Sequence, residues 1–100
     1  MKFTDLEPAQ VEKAASMMKA IAHPLRLAIL GHLVNEPSYT VTEIHKLLNI
    51  EQSTASHHLG ILKDRGVVVS KRSGKNTIYS LKNKNISKLM DCISNCACIE

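Results

Sequence analysis

Apolar residues recur at Val11, Ala14, Ala15, Met18 and Ile21, the i, i+3, i+4, i+7 spacing of one helical face. Pro8 suits the first turn of that helix, where the amide hydrogen that proline lacks has no intrahelical partner. His23-Pro24 stops it, and Pro24 begins the next. Residues 25–34 are apolar almost all round, interrupted by Arg26, Gly31 and His32, the pattern of a helix at the centre of a small domain. Asn35-Glu36-Pro37-Ser38 reads as a turn. Thr40-Val41-Thr42-Glu43 then has the form of a capping box, Thr at the N-cap and Glu three residues on, ahead of a short helix to about Leu48. Residues 49–52 make a tight connection to a further short helix over about residues 53–65. Gly66 stands just past its end, where positive φ is tolerated.

After Gly66 the period changes from 3.6 to 2. Val67-Val68-Val69-Ser70-Lys71-Arg72 and Thr77-Ile78-Tyr79-Ser80-Leu81 are strand-like, joined by Ser73-Gly74-Lys75-Asn76. Asn85 can cap a last helix with the stripe Ile86, Leu89, Met90, Ile93 and Ala97. The predicted fold is mainly α with a small β-hairpin: a winged helix–turn–helix with terminal helices on either side, the hairpin lying between the fourth and fifth helices.

Length and composition agree. One hundred residues make one domain, residues 1–100. With 3% aromatic residues, the core must be built from Leu, Ile, Val, Ala and Met, which suits packed helices better than a β-sandwich. No apolar run approaches the roughly 18–20 residues of a membrane span, so no membrane partner is expected. Met1-Lys2-Phe3-Thr4-Asp5 lacks the apolar run of a signal peptide. The three cysteines fall within the last nine positions, an odd number that cannot staple a secreted fold. A reducing, cytoplasmic setting is the expectation.

Charge is divided. Residues 1–52 carry five Lys/Arg against six Asp/Glu, and residues 53–100 carry eight against three, so −1 and +5 give the net +4. From Lys71 to Lys88 there are six basic residues and no acid. A single-sign stretch suits a polyanion, although a solvated basic face would look the same.

The helix over residues 53–65 narrows the choice. At 100° per residue, Ala55, His58, Leu59 and Leu62 fall within an arc of about 100° and face inward. Ser53, Ser56, His57 and Gly60 face outward, and no carboxylate joins them before Asp64. Short hydrogen-bonding side chains and small residues are what a helix needs to enter a major groove. Gln52 and Ser53 also place backbone N–H groups and the positive helix end where a phosphate can sit. A polar solvent face is the simpler alternative, but the hairpin tip, Arg72, Lys75 and Asn76, follows directly and can hold the phosphate backbone beside the helix. His57 is a candidate contact to base or phosphate. His58 is expected in the core, hydrogen-bonded within the domain, and His45 is given no role.

Three segments resemble the ArsR/SmtB family of bacterial transcriptional repressors. They are His23-Pro24-Leu25-Arg26-Leu27-Ala28-Ile29-Leu30, Gln52-Ser53-Thr54-Ala55-Ser56-His57-His58-Leu59-Gly60-Ile61-Leu62, and Gly66-Val67-Val68. The hairpin, from Arg72-Ser73-Gly74-Lys75 to Tyr79-Ser80-Leu81, is similar too, and the resemblance spans about residues 8–95. It implies a homodimeric winged helix, not an enzyme, that represses its operon and releases DNA on sensing a metal, metalloid or redox signal. The candidate DNA-binding residues are Gln52, Ser53, Thr54, Ser56, His57, Arg72, Lys75 and Asn76. Independently, the stripes on the first and last helices are too extensive for one small core to bury, which points to a dimer. A two-fold dimer predicts double-stranded DNA with a near-palindromic operator, its half-sites roughly 34–36 Å apart.

The resemblance also sets the cysteines apart. Where the family carries a Cys-Val-Cys-Asp metal run, this chain has Thr40-Val41-Thr42-Glu43, and threonine hydroxyls are not soft ligands. Its other zinc site uses Asp/His pairs on the last helix, but no histidine follows His58 and Asp91 stands alone. Cys92, Cys96 and Cys98 remain. Cys92 and Cys96 share one side of the last helix, and Cys98 joins them only if the helix frays. Three converging thiolates suit As(III) or another thiophilic ion as inducer; a disulfide or polysulfide switch, or plain packing in a dimer helix, are the alternatives. No cofactor is required for folding. A winged helix used purely for protein interaction would show an apolar outer face and an uncharged hairpin, and a thiol enzyme would show an acid–base partner beside the cysteines.

Overall fold

The structure, a computed structural model, describes residues 1–98. A 3₁₀ turn at Phe3–Asp5 precedes α1 (Pro8–Ile21) and α2 (Pro24–Asn35). Strand β1 (Tyr39–Thr40) leads into α3 (Val41–Leu48) and α4 (Gln52–Asp64). The hairpin of β2 (Val68–Ser73) and β3 (Asn76–Leu81) is followed by α5 (Asn85–Cys98). The winged helix–turn–helix expected from the periodicity is the fold found.

Local chemistry explains the boundaries. Thr40 Oγ1 accepts from Glu43 N at 3.1 Å and Glu43 Oε1 accepts from Thr40 N at 2.9 Å, the reciprocal capping box predicted for α3. His23 does more than precede a proline: its Nδ1 accepts from Leu25 N at 3.1 Å and caps α2. Asn49, at φ 54°, ends α3 in the left-handed region, a conformation asparagine tolerates better than most residues. Gly66 (φ 75°) ends α4 with Val67 N donating back to Leu62 O at 2.9 Å, the six-residue closure of a glycine-terminated helix. An added Cβ there would meet only Lys82 Nζ at 3.8 Å, so Gly66→Ala is penalised by backbone strain rather than collision. It is expected to cost about 1–2 kcal/mol, readable as a lowered urea midpoint with unchanged slope.

The sheet holds a feature absent from the sequence reading. Tyr39, assigned to no element, and Thr40, read only as a helix cap, pair antiparallel with β3 in the register Tyr39↔Tyr79 and Thr40↔Ile78. The strand order is β1-β3-β2, so β3 is central and the wing is tied to the first residue before α3. The hairpin is also tighter than expected: Ser73 pairs with Asn76, leaving Gly74 and Lys75 as a two-residue tip with Gly74 at φ 61°.

The core gathers Ile29 and Leu30 of α2, Ile44 of α3, Ala55, Leu59 and Leu62 of α4, and Val67 and Val68, all essentially inaccessible. Helix α2 runs through its middle, as its all-round apolarity predicts. The terminal helices contribute little: α1 buries only Ala20 and Ile21, and α5 only Ile86. Val11 and Met18 of the α1 stripe remain 38% and 51% exposed.

Candidate nucleic-acid interface

Helix α4 divides as the wheel requires except at Gly60, which was placed outward and is half-buried. Ala55, His58, Leu59 and Leu62 are its buried residues, while Gln52, Ser53, Ser56 and His57 are exposed. Thr54 is half-buried, at the border beside His58 on the wheel. The N-cap residue Glu51 makes no side-chain cap bond, so the first-turn amides of α4 are left to outside acceptors.

The wing folds back toward this helix. Gln52 and Ser56 line a polar cleft whose far wall is Lys75, Asn76, Thr77 and Tyr79, and whose floor includes Thr40, Val41 and Thr42. The structure therefore brings together Gln52, Ser56, Lys75 and Asn76 from the candidate set. Ser53, Thr54, His57 and Arg72 lie outside the cleft, with Ser53, His57 and Arg72 on open surface. Thr42, Thr77 and Tyr79 join the site without having been singled out. The capping box marked the start of α3, but only the β1–β3 pairing carries it to the wing.

Two histidines separate as expected. His57 faces solvent, whereas His58 is 8% exposed, the single buried polar or charged residue among the described residues. Its Nδ1 accepts from Arg26 Nε at 3.1 Å, and Arg26 Nη1 donates to Ala20 O, also at 3.1 Å. Burial above all, then the positive fields of His23, Arg26 and His57, hold the His58 pKa below the ordinary histidine value of 6.5. His45, left without a role, places Nδ1 3.2 Å from Ile50 O at the α3–α4 connection.

On α5, Cys92, Cys96 and Cys98 are exposed free thiols. Helix α5 continues through Cys98 instead of fraying before it. Two residues past Cys96, Cys98 therefore stands roughly 200° further round the helix. The fraying that would let three sulfurs converge within one subunit is not found, and no group of three His, Cys, Asp or Glu side chains among the described residues is placed to hold a metal ion. No helix among those residues is long and apolar enough to cross a membrane.

A helix–turn–helix with an open polar reading face, flanked by a cationic β-wing, defines the winged-helix class of DNA-binding regulators. The helix-turn-helix domain family matches residues 21–71. The chain is 32% identical to the HTH-type transcriptional regulator YgaV of Escherichia coli, over 90% of this chain and 91% of that protein. It is 35% identical to the transcriptional repressor PagR of Bacillus anthracis, over 85% of each. A homodimeric winged helix-turn-helix DNA-binding domain from Mycobacterium bovis superposes with a TM-score of 0.83 at 27% identity, over 97% of this chain and 89% of that one. This chain belongs to the ArsR/SmtB family of transcriptional regulators, a family of DNA-binding proteins rather than enzymes.

Proposed function

We propose that the protein is a homodimeric, cytoplasmic repressor that binds a near-palindromic operator and releases it when C-terminal thiols meet a thiophilic or thiol-reactive inducer. The observation that carries the DNA reading is the cleft, where Gln52 and Ser56 of α4 face Lys75 and Asn76 of the wing. A duplex edge seated there meets short hydrogen-bonding side chains on one wall and a cation on the other. Base edges are read by Ser56 and by His57 beside it, while Lys75, Arg72 and the α4 amides hold phosphates. Dimerisation is supported by the open α1 stripe, by the scant burial of α5, and by the homodimeric state of the Mycobacterium bovis domain.

Cys92 and Cys96, one helical turn apart and both exposed, are the natural first thiols for As(III) or a comparable soft ion. The third ligand, Cys98, requires the last turn of α5 to unwind or the site to draw on the second subunit. The exposed pair equally fits a redox switch, and an inducer panel separates the two.

Fluorescence anisotropy on the promoter-region duplex tests the DNA reading. Ser56→Ala and His57→Ala are each expected to weaken specific binding by up to about 1–3 kcal/mol while leaving binding to unrelated duplex nearly unchanged. Lys75→Ala should weaken both and lower the magnitude of the log K versus log salt slope by about one. Three variants that bind like the parent would overturn the assigned face.

A further inference from the structure

We propose that His58, Arg26 and His23 form a proton-sensitive latch that fixes the reading helix α4 against the α1–α2 corner, so that acidification loosens the helix and weakens operator recognition. The inference rests on the DNA-binding reading above and assigns regulation to the same site.

The geometry is a three-element junction. Arg26, on α2, reaches two acceptors with two different N–H groups: His58 Nδ1 on α4 and the carbonyl of Ala20 near the end of α1. One guanidinium thus ties the reading helix to both helices behind it. The ring of His23, at the corner, lies 4.7 Å from the His58 ring, and its own Nδ1 is engaged by the Leu25 amide. Ser56 and His57 are the residues immediately before His58, so a shift of this anchor moves the reading face directly.

The latch works in one protonation state. Accepting from Arg26 Nε requires a bare Nδ1, so neutral His58 carries its proton on Nε2. A second proton, taken from solvent, turns Nδ1 into a donor pointed at another donor and sets an imidazolium against a guanidinium. The groups around it do not offset this: His23, Arg26 and His57 (5.3 Å away, ring to ring) all act on it as positive charges, and the carboxylates of Glu12 and Asp64 line a cavity with Arg26 that does not include His58. With the folded pKa held below 6.5, the latched state binds fewer protons than an opened one. Latched stability is therefore full above that value and is lost as pH falls through the folded pKa.

The test compares the full-length parent with His58→Asn, whose amide oxygen offers an acceptor in the place of Nδ1 and does not take a proton. His57 and every phosphate-contacting group are common to both, so their pH effects cancel in the ratio of operator affinities. At about pH 8 the two proteins should bind alike. Below about pH 6.5 the parent should progressively lose affinity relative to His58→Asn, by no more than tenfold per pH unit, the ceiling set by one proton. Superimposable pH profiles would overturn the latch. Should His58→Asn fail to fold, ¹⁵N imidazole NMR of the parent decides: the second ring N–H should arrive together with loss of the Arg26 Nε–H signal and shifts of the α4 amides. Ring protonation with those signals unmoved refutes the proposal. A parent that binds no operator at pH 8 refutes the DNA reading instead, and the same NMR titration still decides the latch.

Discussion

Replacing Leu59 with alanine should destabilise the protein by about 2–5 kcal/mol, the cost of removing a large aliphatic side chain from a packed interior. Leu59 has no accessible surface and belongs to the cluster formed with Ile29, Leu30, Ile44 and Leu62. It also lies on the same helix as Ser56 and His57, one face inward and the other outward. The lost contacts therefore join α4 to α2 and α3, within one shared core cluster. Against a typical domain stability of about 5–15 kcal/mol, the loss is a large share of the whole. Urea unfolding at several protein concentrations is the measurement, because a dimer's midpoint rises with concentration. Lys63→Ala, exposed on the same helix, should stay within about 0.5 kcal/mol of the parent. Equal effects at the two positions would contradict the inward assignment of Leu59.

Changing Cys92, Cys96 and Cys98 together to serine should abolish inducer release while leaving operator affinity intact. All three thiols are exposed on the subunit, so the substitutions remove no contact buried within it. In the parent, the inducer is expected to weaken operator binding by about 5–150-fold, the range of an ordinary coupling free energy of 1–3 kcal/mol. On the dimer proposed above, the expected route is a change in α5 that alters the separation of the two α4 helices on a fixed-spacing site. Anisotropy titrations with arsenite, cadmium, zinc, peroxide and polysulfide identify the chemistry. Single variants locate it: if Cys98→Ser responds normally and Cys92→Ser and Cys96→Ser do not, the one-turn pair is the sensor. A triple variant that still releases DNA like the parent would make the cysteines structural.

The helices could be read from the chain because their signals are local. The α4 positions assigned inward by angle, Ala55, His58, Leu59 and Leu62, are the ones buried, and the Thr40–Glu43 box forms with both of its hydrogen bonds. Strand β1 could not be read this way. Tyr39 and Thr40 are strand only because Tyr79 and Ile78 stand beside them, and two residues carry no period. The floor of the cleft was missed for the same reason. Arg26 looked like a polar interruption of an apolar helix, since its partner His58 lies 32 residues away. Whether α5 would continue through Cys98 is left open by the sequence, because helix fraying is a fine balance of terminal energies that spacing alone does not reveal.

The division of labour along α5 carries a consequence for how such proteins diversify. Its first turn supplies Ile86 to the core, while the thiol-bearing turns beyond contribute nothing buried within their own subunit. Side chains there can be exchanged, thiol for imidazole or carboxylate, without repacking the core of the subunit. A scaffold arranged like this can acquire a new chemical sense by a few substitutions at one tip, with the DNA-facing half left as it was.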